Sequence, residues 1–193
     1  MNLWQQIQSK VGARPDGIPG DATARLIADA LGLAAPAPPV SSAWPRDKRP
    51  DMDAFYGEPG EHLIQIEPAY QLYYDGKKVP KISVHPKIAD AVQHVFQKTL
   101  AHYGNKIHSL GLDVYDGCYN NRPKRGGSTL SVHAYAAALD FDADNNSLHQ
   151  DHNSARFARP EYEAWWRFWE EEGAVSLGRT RDFDWMHVQF ARL

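Results

Sequence analysis

Ser131-Val132-His133-Ala134-Tyr135-Ala136-Ala137-Ala138-Leu139-Asp140 is the stretch on which the fold turns. His133 and Asp140 stand seven residues apart, so both can serve one site only if the chain bends between them. A short helical turn across the alanines, running into a strand, folds His133 back over Asp140. Leu139-Asp140-Phe141-Asp142 alternates in strand fashion, and so does His187-Val188-Gln189-Phe190 near the end of the chain. His187 on that later strand closes a triangle with the first pair. Asp184 lies three residues before His187, where a turn holds its carboxylate beside the triangle.

Outward from this stretch the chain reads as one α+β domain over 51–193, a small antiparallel sheet flanked by helices. Leu63-Ile64-Gln65-Ile66 and Tyr70-Gln71-Leu72-Tyr73-Tyr74 are short strands, and Asp75-Gly76 is a turn after the second. From Lys87 to Tyr103, Ile88, Ala91, Val92, Val95, Phe96, Leu100 and Tyr103 follow helical spacing, which predicts the main core helix. A further helix starts at Pro160 and carries Tyr162, Trp165, Trp166 and Trp169 on one face before Gly173 stops it. The tryptophans read as core rather than as a sugar platform.

Residues 1–33 read as a helical hairpin. Trp4, Ile7 and Val11 share a face of its first helix, and Leu26, Ile27, Ala30 and Leu31 share a face of its second. Asp16-Gly17 and Pro19-Gly20 punctuate the turn between them, and Asp21 is a plausible N-cap. Proline-rich Ala34-Ala35-Pro36-Ala37-Pro38-Pro39, followed by Trp44-Pro45 and the charged run to Pro50, reads as a semi-rigid spacer over 34–50.

The 193 residues carry 21 Lys plus Arg against 24 Asp plus Glu, a net charge of −3. Without a cationic footprint, a nucleic-acid partner is not expected. A single Cys118 excludes an internal disulfide framework and leaves any metal to His and carboxylates, with nine His available. The N-terminus lacks the basic and apolar regions of a secretory signal, and no apolar run reaches the ~20 residues needed to cross a bilayer. The expectation is a monomer made in the cytoplasm, with no membrane anchor of its own.

Two His and one Asp match the donor inventory of catalytic zinc sites, which use three N/O protein ligands and keep a fourth position open. Asp184 suits a general base, which must lie within hydrogen-bond reach of the proton it takes. Here the residues resemble a known family. Ser131, His133, Ala138 and Asp140, with the later Asp184-Trp185-Met186-His187, resemble the zinc D,D-carboxypeptidases and L-alanyl-D-glutamate endopeptidases that cleave bacterial cell-wall peptides. The resemblance covers most of 115–193. It implies a hedgehog/D,D-peptidase-like zinc domain, Zn2+ held by His133, Asp140 and His187, and Asp184 as base. It also implies an arginine upstream of His133 that stabilises the transition state or holds a substrate carboxylate. Arg122 is preferred for that catalytic role, with Arg125 and Ser131 assigned to substrate binding.

Asp16-Gly17-Ile18-Pro19-Gly20-Asp21-Ala22-Thr23 resembles the turn of a peptidoglycan-binding repeat. Together the two resemblances imply a modular phage endolysin, made in the host cytoplasm and acting on bacterial peptidoglycan. They favour an L-Ala–D-Glu endopeptidase and leave a D-Ala–D-Ala carboxypeptidase open. A non-catalytic peptidoglycan-binding protein that keeps the zinc fold is the alternative.

The family pattern places glycine where this chain has Ala136. If the backbone there requires φ > 0, alanine carries strain. Asp142, two residues after Asp140, is an alternative ligand by strand spacing. His149 and His152 read as a solvated polar loop, and nothing around Cys118 suggests an activated thiolate.

Overall fold

A computed structural model describes residues 1–11, 27 and 44–193. The chain divides into two compact units, residues 1–40 and 41–193. In the first, helix α1 spans Leu3–Lys10. Asn2 caps it reciprocally: its side-chain oxygen accepts from the Gln5 amide at 2.9 Å, and its own amide donates to the Gln5 side chain at 2.9 Å. Apart from Ile27, which is helical, the turn and second helix expected over 15–31 lie outside the described residues.

The larger unit is mixed α and β. A four-stranded antiparallel sheet has the order β5 (Tyr115–Gly117), β6 (Ala138–Phe141), β8 (His187–Gln189), β7 (Val175–Ser176). Two smaller antiparallel pairs accompany it. β1 (Ile64–Ile66) pairs with β4 (Ile82–Val84), and β2 (Leu72–Tyr74) pairs with β3 (Lys77–Val79). Between β2 and β3 the predicted turn Asp75-Gly76 has φ of 48° and 69°, the two positive values a tight two-residue hairpin turn requires.

Helix α2 (Arg49–Tyr56) precedes β1, α3 (Ala89–Tyr103) follows β4, and α4 (Glu163–Glu171) precedes β7. A short α5 (Leu177–Arg181) joins β7 to the segment before β8. The helix expected over 87–103 begins with a 3₁₀ turn, Pro86–Ile88, and the one expected from Pro160 begins with another, Pro160–Tyr162.

Alternation along β6 and β8 sorts their side chains between the two faces of the sheet. Leu139, Phe141 and Val188 face the core. Phe141 meets Phe96 of α3 at 6.4 Å between ring centroids, and Trp165 and Trp169 of α4 at 5.2 and 5.9 Å. Trp165, Trp166 and Trp169 are all buried, as expected of core residues. Asp140, His187 and Gln189 take the opposite face.

Residues 44–50, expected in the spacer, belong to the larger unit. Pro45 accepts from the Arg192 amide at 2.8 Å, the Asp47 amide donates to the Arg192 carbonyl at 2.7 Å, and Trp44 packs on Phe190 with ring centroids 4.9 Å apart. The aromatic ring and the backbone pairing along Arg192 hold this segment against the end of the chain, and α2 begins at Arg49. Among the described residues no helix is long and apolar enough to cross a membrane.

Gly178 in α5 shows how tightly the segment before β8 is seated. A Cβ there would lie 2.3 Å from the Trp185 ring. Gly178→Ala is therefore expected to cost about 1–3 kcal/mol through overpacking. Denaturant unfolding monitored by tryptophan fluorescence checks this; an unchanged midpoint would refute it.

Candidate metal centre

Ser131 starts the site. Its hydroxyl oxygen accepts from the His133 amide at 3.3 Å and caps the 3₁₀ turn Val132–Tyr135. The turn ends at Ala136, whose φ of 49° and ψ of 37° lie in the left-handed region. Positive φ is therefore what the chain requires at this position, and alanine bears a cost of about 1–2 kcal/mol there. The Ala136 carbonyl accepts from the His85 amide at 2.9 Å, one contact that fixes this conformation. The chain reverses and enters β6, which brings Asp140 under His133.

Register supplies the third member, because Asp140 and His187 are directly opposed partners across β6 and β8. His187 Nδ1 lies 3.0 Å from an Asp140 carboxylate oxygen and 3.2 Å from His133 Nε2, and His133 Nε2 lies 3.3 Å from the other Asp140 oxygen. Donors bound ~2.0–2.1 Å from a tetrahedral zinc stand about 3.3–3.4 Å apart, so this triangle has nearly the size such an ion requires.

Hydrogen bonding behind the triangle decides what each ring presents to it. His133 Nδ1 lies 2.7 Å from the Cys118 carbonyl, which accepts only, so the ring donates there and turns its Nε2 lone pair inward. His187 Nε2 lies 3.0 Å from the Gln189 side-chain oxygen. The Gln189 amide nitrogen donates to the Ala191 carbonyl at 2.9 Å, which sets the orientation of that side chain. His187 therefore donates from Nε2 and turns its Nδ1 lone pair inward. Two imidazole lone pairs and a carboxylate converge on one point, an arrangement that repels itself unless a cation or proton sits between them. Metal-binding histidines are oriented in this way by outer partners. His133, Asp140 and His187 thus form a group fit to hold a metal ion.

The electrostatics agree. Burial opposes ionisation of Asp140, but the charges and hydrogen bonds of His133 and His187 outweigh it and hold the carboxyl well below its usual range. Burial likewise disfavours a charged His187, yet the Asp140 hydrogen bond and charge, helped by Asp184 and Gln189, raise its pKa above the ordinary value.

Asp184 stands beside the triangle with its backbone in the left-handed region at φ 56°. Its amide donates to the Leu148 carbonyl at 3.1 Å and its carbonyl accepts from the His187 amide at 3.0 Å. The residue is 9% exposed, and one carboxylate oxygen is buried without a hydrogen-bond partner among the described residues. Burial raises its pKa. The Asp140 charge adds to the rise, against the opposing influence of His187, His133 and Arg125.

A cavity of about 290 Å³ opens over the triangle, lined by Arg122, Arg125, Ser131 and Asp184 as well as the three donors. All of the predicted site residues therefore meet in one place. Arg125 acts electrostatically on Asp184. Arg122 donates to the Pro123 carbonyl at 3.1 Å.

Asp142 is not a fourth donor. At φ 47° it leaves the strand, and its carboxylate is bound by Arg156 at 3.1 Å and by Asn145 at 2.8 Å. Cys118 is buried, and its thiol is pushed well up by desolvation, which excludes a reactive thiolate. Its contribution is its carbonyl. His152 pairs with Asp182 at 2.6 Å on the surface, and His149 is exposed. Sequence reasoning missed Cys118 and Gln189 as orienting partners. For Gln189 a cue was present, since it lies two residues after His187 on the same strand face.

Comparison with protein-family models, with curated proteins and with solved structures finds no match. The reading of this site rests on its own chemistry.

Two measurements follow from the orienting bonds. Because the His187 pKa is raised, its imidazolium persists to higher pH than an ordinary histidine's and must lose a proton before it can donate to a metal. Apparent zinc affinity, measured by chelator competition, is therefore expected to rise with pH until the solution passes that raised pKa. A pH-independent affinity between 5.5 and 8 would contradict the assignment of His187 as a donor. Gln189→Leu removes the acceptor that fixes the ring and is expected to weaken zinc binding by about 10–100-fold. Unchanged affinity in that variant would show that the orienting bond is dispensable.

Proposed function

We propose that the chain is a zinc peptidase that cleaves stem peptides of bacterial peptidoglycan, acting as a modular endolysin with a D,D-peptidase-like catalytic domain. The observation that carries the metal assignment is the convergence of His133 Nε2, Asp140 and His187 Nδ1, with both histidine tautomers set from behind. What directs the reading to peptidoglycan is the resemblance of 131–140 and 184–187 to cell-wall peptidases, supported by the resemblance of the 16–23 sequence to a peptidoglycan-binding repeat.

Zinc held by those three residues would supply Lewis-acid polarisation of a carbonyl and would lower the pKa of bound water towards neutrality. The chain's own part centres on Asp184. Its unpartnered carboxylate oxygen accepts a proton from the attacking water, and its raised pKa suits it to pass that proton to the leaving amine. Arg122 and Arg125 place positive charge at the cavity, where one stabilises the negative charge that develops on the carbonyl oxygen and the other holds a substrate carboxylate. Ser131 contributes by capping the turn that presents His133.

Asp184→Ala separates this reading from that of a protein that only binds the cell wall. The variant is expected to retain one zinc per chain while release of fragments from purified peptidoglycan falls by at least about 10²-fold. Metal analysis and mass spectrometry of the released fragments provide the readout and identify the bond cut. Wild-type protein without zinc, or turnover indifferent to Asp184, would overturn the proposal.

A further inference from the structure

A second cavity, of about 550 Å³, adjoins the triangle. It shares Arg122, Arg125, His133 and Asp140 with the first and extends to Tyr74, Lys81, Ser83, Asp116, Tyr119 and Asn120. The two differ in chemistry. The first continues over the apolar side chains Leu148, Leu177, Phe183 and Met186 and contains Asp184, whereas the second is walled by tyrosines and hydrogen-bonding groups.

Tyr74 is 52% exposed and Tyr119 is 40% exposed. Among the described residues neither phenol has a hydrogen-bond partner or a packed ring against it, and the Asn120 side-chain amide also has no partner. Tyr119 lies close over Gly60, where a Cβ would come within 2.3 Å of the hydroxyl, so the backbone there gives way to the ring. Asp116 accepts from the Ala143 amide through one carboxylate oxygen at 2.8 Å. Asn120 is tied to the site by its backbone, since its amide donates to the His133 carbonyl at 3.0 Å and its carbonyl accepts from the Arg122 amide at 2.9 Å. A ligand held here is therefore adjacent to His133.

Partly exposed tyrosines beside an amide and a carboxylate have the chemistry of a saccharide subsite. The flat C–H face of a pyranose stacks on an aromatic ring, whose face is electron-rich, while its hydroxyl and N-acetyl groups need paired donors and acceptors. Asn120 offers both amide functions for an N-acetyl group, and the free oxygen of Asp116 accepts from hydroxyls.

We propose that this second cavity binds an N-acetylated amino sugar of the glycan strand, so that the chain cuts a peptide while it is still attached to its sugar. The inference rests on the peptidase reading for the bond and on the second cavity alone for the sugar. In that reading Asp184 delivers the proton to the leaving amine, which places the departing portion of the peptide in the first cavity and the sugar-bearing portion in the second. Cleavage then falls within the stem, close to the glycan, rather than at its free C-terminus.

The test has two independent arms on the full-length zinc-loaded protein. In the first, a soluble disaccharide-peptide and the free peptide of the same sequence are compared as substrates. The sugar is expected to raise kcat/KM by about tenfold or more, and Tyr119→Ala and Tyr74→Ala to remove that advantage while leaving the rate on the free peptide unchanged. In the second, the N-acetylated disaccharide without peptide is titrated into wild type and Tyr119→Ala by calorimetry or NMR, with binding expected only in the wild type. Cleavage with equal rates on both substrates, and no disaccharide binding, would overturn the subsite and leave the peptidase reading standing. Disaccharide binding that depends on Tyr119, without cleavage of either substrate, would uphold the subsite and overturn the peptidase reading. Circular dichroism of the tyrosine variants guards against misfolding; if one is unfolded, Asn120→Ala takes its place.

Discussion

Three electron-pair donors pointed at one another are unstable by themselves, and the larger unit is organised so that they meet. Asp140 and His187 are forced together because they are opposed partners on adjacent central strands. A one-residue slip in that register would turn one of them into the aromatic core and the other away from it. Phe141 on the core face makes such a slip prohibitive, since it is locked among Phe96, Trp165 and Trp169. The tryptophan packing and the metal triangle are opposite faces of one constraint.

His133 arrives by a different device. It sits on a single 3₁₀ turn that Ser131 opens and a left-handed Ala136 closes, and the strain at Ala136 is borne because hydrogen bonds on both sides leave the backbone no alternative. The same economy holds Asp184, another non-glycine residue at positive φ, whose backbone is bonded to Leu148 on one side and to His187 on the other. Two of the five non-glycine residues at positive φ among the described residues, Ala136 and Asp184, thus border the triangle. At Asp142 a positive φ has the reverse effect, steering a carboxylate out of the site and into a pair with Arg156.

Outer partners orient the polar cluster into a group that could hold a metal ion. A carbonyl behind His133 and a glutamine behind His187 settle which nitrogen of each ring is bare. Without them either ring could turn a proton inward, and the group would be a hydrogen-bonded cluster rather than a cation trap. The two cavities that meet at the triangle then divide its surroundings, one running over Leu148, Leu177, Phe183 and Met186 beside Asp184, the other over Tyr74, Tyr119 and Asn120.

Much of this was legible in the residues. Helical periodicity located α3 and α4, strand alternation located β6 and β8, and Asp75-Gly76 announced its hairpin, because these are local consequences of side-chain spacing and backbone preference. The ordered set His133, Asp140, Asp184 and His187 was legible too, since donor types and intervals are written in the chain. What the chain could not express was anything that depends on residues distant in sequence. The seating of Trp44–Asp47 along Arg192, the diversion of Asp142 to Arg156, and the roles of the Cys118 carbonyl and of Gln189 arise only when separate segments are packed together. Sequence determined which donors were available; tertiary structure decided which lone pairs face inward, because a histidine's tautomer is set by whatever lies behind the ring.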